Sequence, residues 1–288
     1  MSMIRMPLLS VVAALLSLVP GQVRAGSWYT APFAADIVMI NPVDPTDKAT
    51  GKLFVGPDRF RAEGVYQGVK KVLIVNMADR KAFTMMPEKK EFYEGMSEAL
   101  MPPRPDVELM PNDPKGPCKS DPQLSCTQEG SETVNGIQTE KWSIKASDKE
   151  ASYLVTLWTD PKRRIVIRQQ PDKGPLMERK LQGIEKIGGR DTEKWEFTHS
   201  FKEQRNTYFQ WIDVALRIPV RMGEGRQSNM EVSNIREGEQ NGALFQVPAD
   251  MKEIKMPPPP NPDLGPEGKN NNKPASPPVD PKKGAKFQ

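Results

Sequence analysis

Between Ala35 and Glu94, apolar and β-branched residues recur in short runs at alternate positions, broken every eight to twelve residues by turn formers. That spacing belongs to an antiparallel meander and not to amphipathic helices. It predicts strands at Ala35–Ile40, Gly51–Val55, Arg59–Val65, Lys71–Asn76, Lys81–Met86 and Glu91–Glu94. Gly56-Pro57-Asp58, Ala78-Asp79-Arg80 and Pro87-Glu88-Lys89 stand between them. Pro presets φ, Asp bonds its own backbone and Gly accepts positive φ, so each has a reason to turn. In Arg59–Glu63, alternation sends Arg59, Arg61 and Glu63 to one face and Phe60 and Ala62 to the other. Phe92–Leu100 is the one stretch that hints at a helix.

Downstream the pattern repeats itself. Thr139-Glu140-Lys141-Trp142 returns as Thr192-Glu193-Lys194-Trp195, 53 residues later. At the same offset Trp158 meets Trp211, Asp160 meets Asp213, Arg164-Ile165 meets Arg217-Ile218, Arg168 meets Arg221 and Met177-Glu178 meets Met230-Glu231. So many ungapped matches point to two copies of one supersecondary unit within 139–231. In each copy a strand alternates apolar and basic positions. Ile165 and Ile167 oppose Arg164 and Arg168; Ile218 and Val220 oppose Arg217 and Arg221. A sheet so patterned has one sheltered side and one wet side. The sheltered side is either a sealed core or an apolar cavity. The basic face, Arg164, Arg168, Arg217 and Arg221, is either a solvated surface or a site for an anionic partner. Pro219 lacks a ladder donor, which places an edge or a bulge there.

The N-terminus has the order of a secretory leader. Arg5 precedes a thirteen-residue apolar run, Pro7 to Val19, and Val23-Arg24-Ala25 offers small residues at −3 and −1. Cleavage is expected after Ala25, which gives a periplasmic chain with peripheral membrane contact at most. Export implies an oxidising compartment, so Cys118 and Cys126, the only cysteines, read as a disulfide. They lie in a breaker-rich segment, 96–130, taken as an insertion in a single β domain spanning 26–254. From Lys255 to Gln288 the chain holds ten of its 29 prolines and almost no large apolar residues, the composition of a disordered tail. The net charge of +4 comes from the ends. The leader contributes +2 and the tail +3, leaving about −1 for the domain. Nothing there suits nucleic acid.

Candidate chemistry is sparse. His199 is the only histidine, beside Phe201 and far from any Ser or Cys motif. Gly-rich phosphate loops and GxSxG are missing from the sequence, and two Cys with one distant His make a poor zinc set. Met77, Met85, Met86, Met96, Met101 and Met110 cluster in sequence, but without the tight Met-x-Met spacing of a copper site; core filling suits them better. No catalytic residue, metal or cofactor is assigned, and the chain reads as a non-enzymatic protein.

Several blocks together resemble the outer-membrane lipoprotein-sorting, LolA-like superfamily: GKLFVGPDRFRAEG (51–64), MMPEKKEFYEG (85–95), VNGIQTEKWSI (134–144), LWTDPKRRIVIR (157–168), WIDVALRIPVRM (211–222) and LFQVPADMKEI (244–254). The resemblance implies a mainly β fold, a curved antiparallel sheet forming an unclosed half-barrel with few short helices. It also implies an apolar concavity that receives a lipid or lipoprotein acyl chain; in other members a cell-envelope protein partner is involved. The superfamily's lid helices have no counterpart here, and no functional residue is carried over. Phe54, Phe60, Phe83, Met85, Ile165, Ile167, Ile218 and Val220 are the candidate wall or core residues, from alternation alone.

Overall fold

The computed structural model describes residues 29–40, 48–66, 68–96, 103, 104, 106, 108, 110–147, 152–224 and 227–256. The leader expected at 1–25, and all but two residues of the tail expected at 255–288, lie outside them. The compact unit that holds the sheet ends at Ile254.

Sixteen strands form one curved, unclosed sheet. They are β1 (Phe33–Ile40), β2 (Lys48–Val55), β3 (Arg59–Tyr66), β4 (Val69–Asn76), β5 (Lys81–Met86), β6 (Glu91–Glu94), β7 (Leu124–Val134), β8 (Ile137–Ser147), β9 (Ser152–Asp160), β10 (Ile165–Pro171), β11 (Leu176–Ile187), β12 (Arg190–Phe201), β13 (Gln204–Asp213), β14 (Pro219–Glu224), β15 (Gln227–Glu237) and β16 (Lys252–Glu253). The spatial order is β16-β6-β5-β4-β3-β2-β1-β15-β14-β13-β12-β11-β10-β9-β8-β7. Two meanders therefore meet at a seam where β1 pairs with β15. All pairs are antiparallel except β16 with β6. Among the described residues the one α-helix, α1 (Pro117–Ser120), is a single turn.

The first six strands fall where alternation puts them. Phe60 and Ala62 are buried, while Arg61 on the opposite face pairs with Glu63 at 2.7 Å. The helical hint at Phe92–Leu100 does not hold for its first residues. Phe92 lies in β6, whose backbone is paired with β5 on one side and β16 on the other. The expected insertion 96–130 is also shorter than its sequence suggests, because β7 begins at Leu124 and pairs at once with Ala146 of β8.

The meander β1–β6 packs apolar side chains on both faces. On one face, Phe33, Leu53, Val55, Phe60, Leu73 and Val75 join Ile218, Val220, Met230 and Val232 from across the seam. On the other, Val72, Ile74 and Met85, with Phe54 and Phe92 beside them, are capped by Phe245, Leu244, Val247 and Met251. This explains why Val72–Val75 is a continuous apolar run instead of an alternating one.

At an offset of 53 residues the two units β7–β10 and β11–β14 repeat a set of framing contacts. Each opens with a hairpin at positive φ, Asn135-Gly136 and Gly188-Gly189, and each carries a bulge at a positive-φ glycine, Gly130 and Gly183. The hydroxyl of Thr139 donates to Glu132 O (2.6 Å), and that of Thr192 to Glu185 O (2.8 Å). Trp158 Nε1 donates to Glu132 and Trp211 Nε1 to Glu185, both at 2.9 Å. Both indoles are flanked by cations: Lys141 and Arg168 at Trp158, Lys194 and Arg221 at Trp211. Asp160 and Asp213 each accept two backbone N–H groups in the next turn.

Candidate functional site

A face of the first unit is left open. The ladders set Leu124 opposite Ala146, Cys126 opposite Ile144, Trp142 opposite Leu157, Ile144 opposite Val155 and Ala146 opposite Tyr153. On the far side of β9, Leu157 stands opposite Gln169 of β10. Directly paired residues share a face. These side chains therefore form one surface across four strands. Trp142, Ile144, Val155, Leu157 and Val166 pack together there, with Cys118, Leu124 and Cys126 at one margin. The Cys118–Cys126 bond, with Cα atoms 5.8 Å apart, ties α1 to the start of β7 and brings Pro117 over this margin.

Pro117, Leu124, Ile144, Ala146, Tyr153, Val155, Leu157 and Gln169 line a groove. The centre of a water-sized sphere has about 30 Å³ to move in there, and the space free of atoms around the groove, open solvent included, is about 410 Å³. Among the described residues none that lines it is charged. Gln169 is its one amide, 4 % exposed, and no described residue bonds its side chain.

The equivalent face of the second unit is closed. Phe197 and Tyr208, at the positions of Ile144 and Val155, stack 5.0 Å apart, and His199 meets Tyr208 edge-on. Arg179 lies over Phe197 and holds Asp106 at 2.6 Å and Glu108 at 2.5 Å. Asp106 N and Glu108 N donate to Arg217 O and Arg164 O, the turn carbonyls of the two units. Burial pushes the Glu108 carboxyl upward against the pull of Arg179 and lowers the His199 imidazole. The frame of the unit is thus kept in both copies, while this face differs: ionic and capped in one, apolar and open in the other.

None of the eight wall residues named from sequence lines the groove. Phe60, Ile218 and Val220 belong to the core across the seam. Ile165 and Ile167 pack with Trp158, Trp195, Phe197 and Ile212. Phe54 and Met85 sit under the C-terminal segment, and Phe83 meets Phe92 edge-on at 6.1 Å. Phe54 and Phe60 occupy opposite faces, since Phe54 is paired with Arg61 and Phe60 with Val55.

The four arginines do not share a free face. Arg164 and Arg217 stand in turns at φ 57° and 56°, ahead of the strands. Arg164 is bound by Asp113 and Arg217 by Glu193 and Asp106. Arg168 pairs with Glu178 at 2.7 Å and Arg221 with Glu231 at 3.3 Å. Bulges explain the misreading: the register steps between Val166 and Arg168, and from Trp211↔Arg221 to Ile212↔Pro219. Val166, which strict alternation puts on one side with Arg164 and Arg168, is consequently buried. The bulge at Pro219 is one of the two outcomes its missing donor allows.

The groove itself was readable in part. Trp142, Ile144 and Ala146 alternate with Lys141, Ser143 and Lys145, and Tyr153, Val155 and Leu157 form a second alternating set.

Among the described residues no cluster of His, Cys, Asp and Glu could hold a metal ion, and no helix is long and apolar enough to cross a membrane. No family model and no curated protein matches the chain. Solved structures do. A putative outer-membrane lipoprotein-sorting protein domain from Vibrio parahaemolyticus is similar at 10 % identity and TM-score 0.35, over 82 % of this chain and 95 % of that one. A LolA superfamily protein from Nitrosomonas europaea is similar at 12 % identity and TM-score 0.30, over 81 % and 96 %. The Pseudomonas aeruginosa MucA/MucB complex is similar at 11 % identity and TM-score 0.21, over 62 % and 74 %.

Proposed function

We propose that this protein is a non-enzymatic binding protein of the periplasm that takes an apolar or acylated ligand in the groove of its first repeat unit. The observation that carries the reading is the contrast between the two copies. The Thr, Trp and Asp contacts that frame each unit are duplicated, yet the face that the second copy fills with stacked rings and caps with ion pairs is left apolar and open in the first. Of the eight described lining residues six are wholly apolar, Tyr153 adds a ring with one hydroxyl, and none is charged. Such a surface gains roughly 0.8 kcal/mol for each CH2 it takes out of water, before association costs. Residues 26–254 act as the binding domain, and 255–288 as an appended tail.

The test is direct binding of a dodecyl-chain probe to the processed protein, compared with Ala146→Trp. Ala146 is half-buried on the groove wall, so an indole there fills the void without entering the packed core. The variant is expected to keep its unfolding midpoint and lose chain binding at least tenfold. Equal binding by both proteins would remove the groove from the function.

A second reading rests on a different observation. Among the described residues β7 ends the sheet, and no described strand lies on the outer side of its eleven residues. An exposed edge of that length can accept an extended segment from an envelope protein. Native mass spectrometry of protein taken from its own periplasm separates the two. A co-purifying lipid or acyl chain supports the first, and a stoichiometric polypeptide with no lipid supports the second.

A further inference from the structure

Gln169 is out of place in a groove built only to hold hydrocarbon. A carboxamide carries two N–H donors and a carbonyl acceptor. Buried without partners, it costs more than an apolar side chain of the same size. Its counterpart 53 residues later, Met222, is apolar, so the repeated frame does not require an amide at this position. Gln169 is held on the groove face by its register with Leu157 on one side and Met177 on the other. The side-chain nitrogens and oxygens wholly sealed without a hydrogen bond, among the described residues, are Arg59 Nε and Arg221 Nε. The Gln169 amide is therefore not walled in; it meets the groove's own space.

Resting on the reading that the groove takes an acyl ligand, we infer that Gln169 selects a chain joined through an amide linkage. A neutral polar group suits the site, because no described residue that lines it carries a charge to offset the desolvation of a carboxylate or an ammonium. The carboxamide presents either its N–H or its C=O to the ligand. An amide linkage supplies the complement of both, whereas an ester supplies an acceptor only and an ether a weaker one. The apolar residues Ile144, Val155 and Leu157 receive the chain, and Gln169 reads the linkage. One hydrogen bond made by a buried group that is otherwise unpaired is the kind of contact that discriminates between ligands of equal greasiness.

The experiment compares three neutral probes of matched length, N-methyldodecanamide, methyl dodecanoate and dodecyl methyl ether, by competition against a fluorescent dodecyl probe on the processed protein. The amide is expected to bind about tenfold tighter than the ether, with the ester between them. In Gln169→Leu the three affinities should converge while the chain still binds. The series on the unmutated protein stands by itself if that variant does not fold. Equal binding of amide and ether, an ester that equals the amide, or a preference that survives in Gln169→Leu would each overturn the assignment while leaving the groove as a chain-binding site. If none of the three probes binds, the proposed function falls with it.

Discussion

At the scale of single residues, the two buried polar groups Gln169 and Glu193 make opposite demands. Gln169 finds no described protein partner and is only 4 % exposed, so the ligand-free fold carries part of the cost of its desolvation. Replacing it by Leu, which matches it in length and removes the polar atoms, should stabilise the protein by about 1 kcal/mol, measured as a rise in the urea midpoint at constant slope. A loss of stability would mean that the amide is satisfied within the fold. Glu193 is the reverse case. Burial pushes its carboxyl up, but Arg163, Arg217 and the Trp195 indole all donate to it, and the net effect holds it below its ordinary value. A carboxylate depressed on folding stabilises the native state above its unfolded value, near 4.5, and that contribution disappears as pH falls through the lower folded value. Glu193→Gln should therefore lower stability at pH 7 by about 1–3 kcal/mol. The same variant should show a flatter decline between pH 5 and 3 than the parent, read from urea titrations at each pH.

At the scale of elements, the disulfide is the device that shapes the groove. The bond closes a loop of few residues, so its entropic contribution is modest, about 2–3 kcal/mol. Its local effect is larger, because Pro117 reaches the groove only through α1, and α1 is joined to β7 by this bond. Cys118→Ser with Cys126→Ser should cost about 2–3 kcal/mol in unfolding and weaken dodecyl binding severalfold. Unchanged binding in the double variant would show that Pro117 adds nothing to the site. The six strands of the first meander and the duplication were legible because each rests on local signals: turn residues at short intervals, and side chains matched at a constant offset. The groove was legible only as two alternating strands and not as a site, for two physical reasons. A bulge shifts alternation by one residue, so Val166 and Arg168, which a regular strand would place on one face, take different ones. The surface is also assembled from β7, β8, β9 and β10 together. Gln169 reads as an ordinary exposed polar residue until Leu157 and Met177 are known to flank it. The arginine face failed for a related reason. Arg164 and Arg217 adopt positive φ in the turn and swing to Asp113, Asp106 and Glu193, contacts no strand periodicity contains.

At the scale of the whole molecule, a sixteen-stranded sheet with two open ends must cover the faces it does not roll inward. Across the seam the sheet shelters one face of the first meander by its own curvature. The outer face, with Val72, Ile74, Met85 and Phe54, has no second sheet, and the described residues show no long helix over it. The segment from Asn241 to Glu253 does that work. Asn241 caps a 3-10 turn, Gly242–Phe245, through its side chain; Arg61 donates to Leu244 O at 3.0 Å; and β16 closes the segment onto β6. Phe245 is its anchor, packed on the apolar cluster with the Arg59 guanidinium 4.9 Å from its ring centroid. Truncation of Phe245 to Ala removes both the packing and the ring that faces a guanidinium whose Nε has no hydrogen bond. A loss of about 3–5 kcal/mol is expected, with new binding of a hydrophobic dye as Val72, Ile74 and Met85 meet water. The segment packs on β2 to β6, none of which lines the groove, so any Phe245→Ala protein that stays folded should bind the dodecyl probe as the parent does. A destabilised variant that also lost chain binding would show that the two meanders share one cooperative site. A variant of unchanged stability would show that the outer face is covered by something other than this segment.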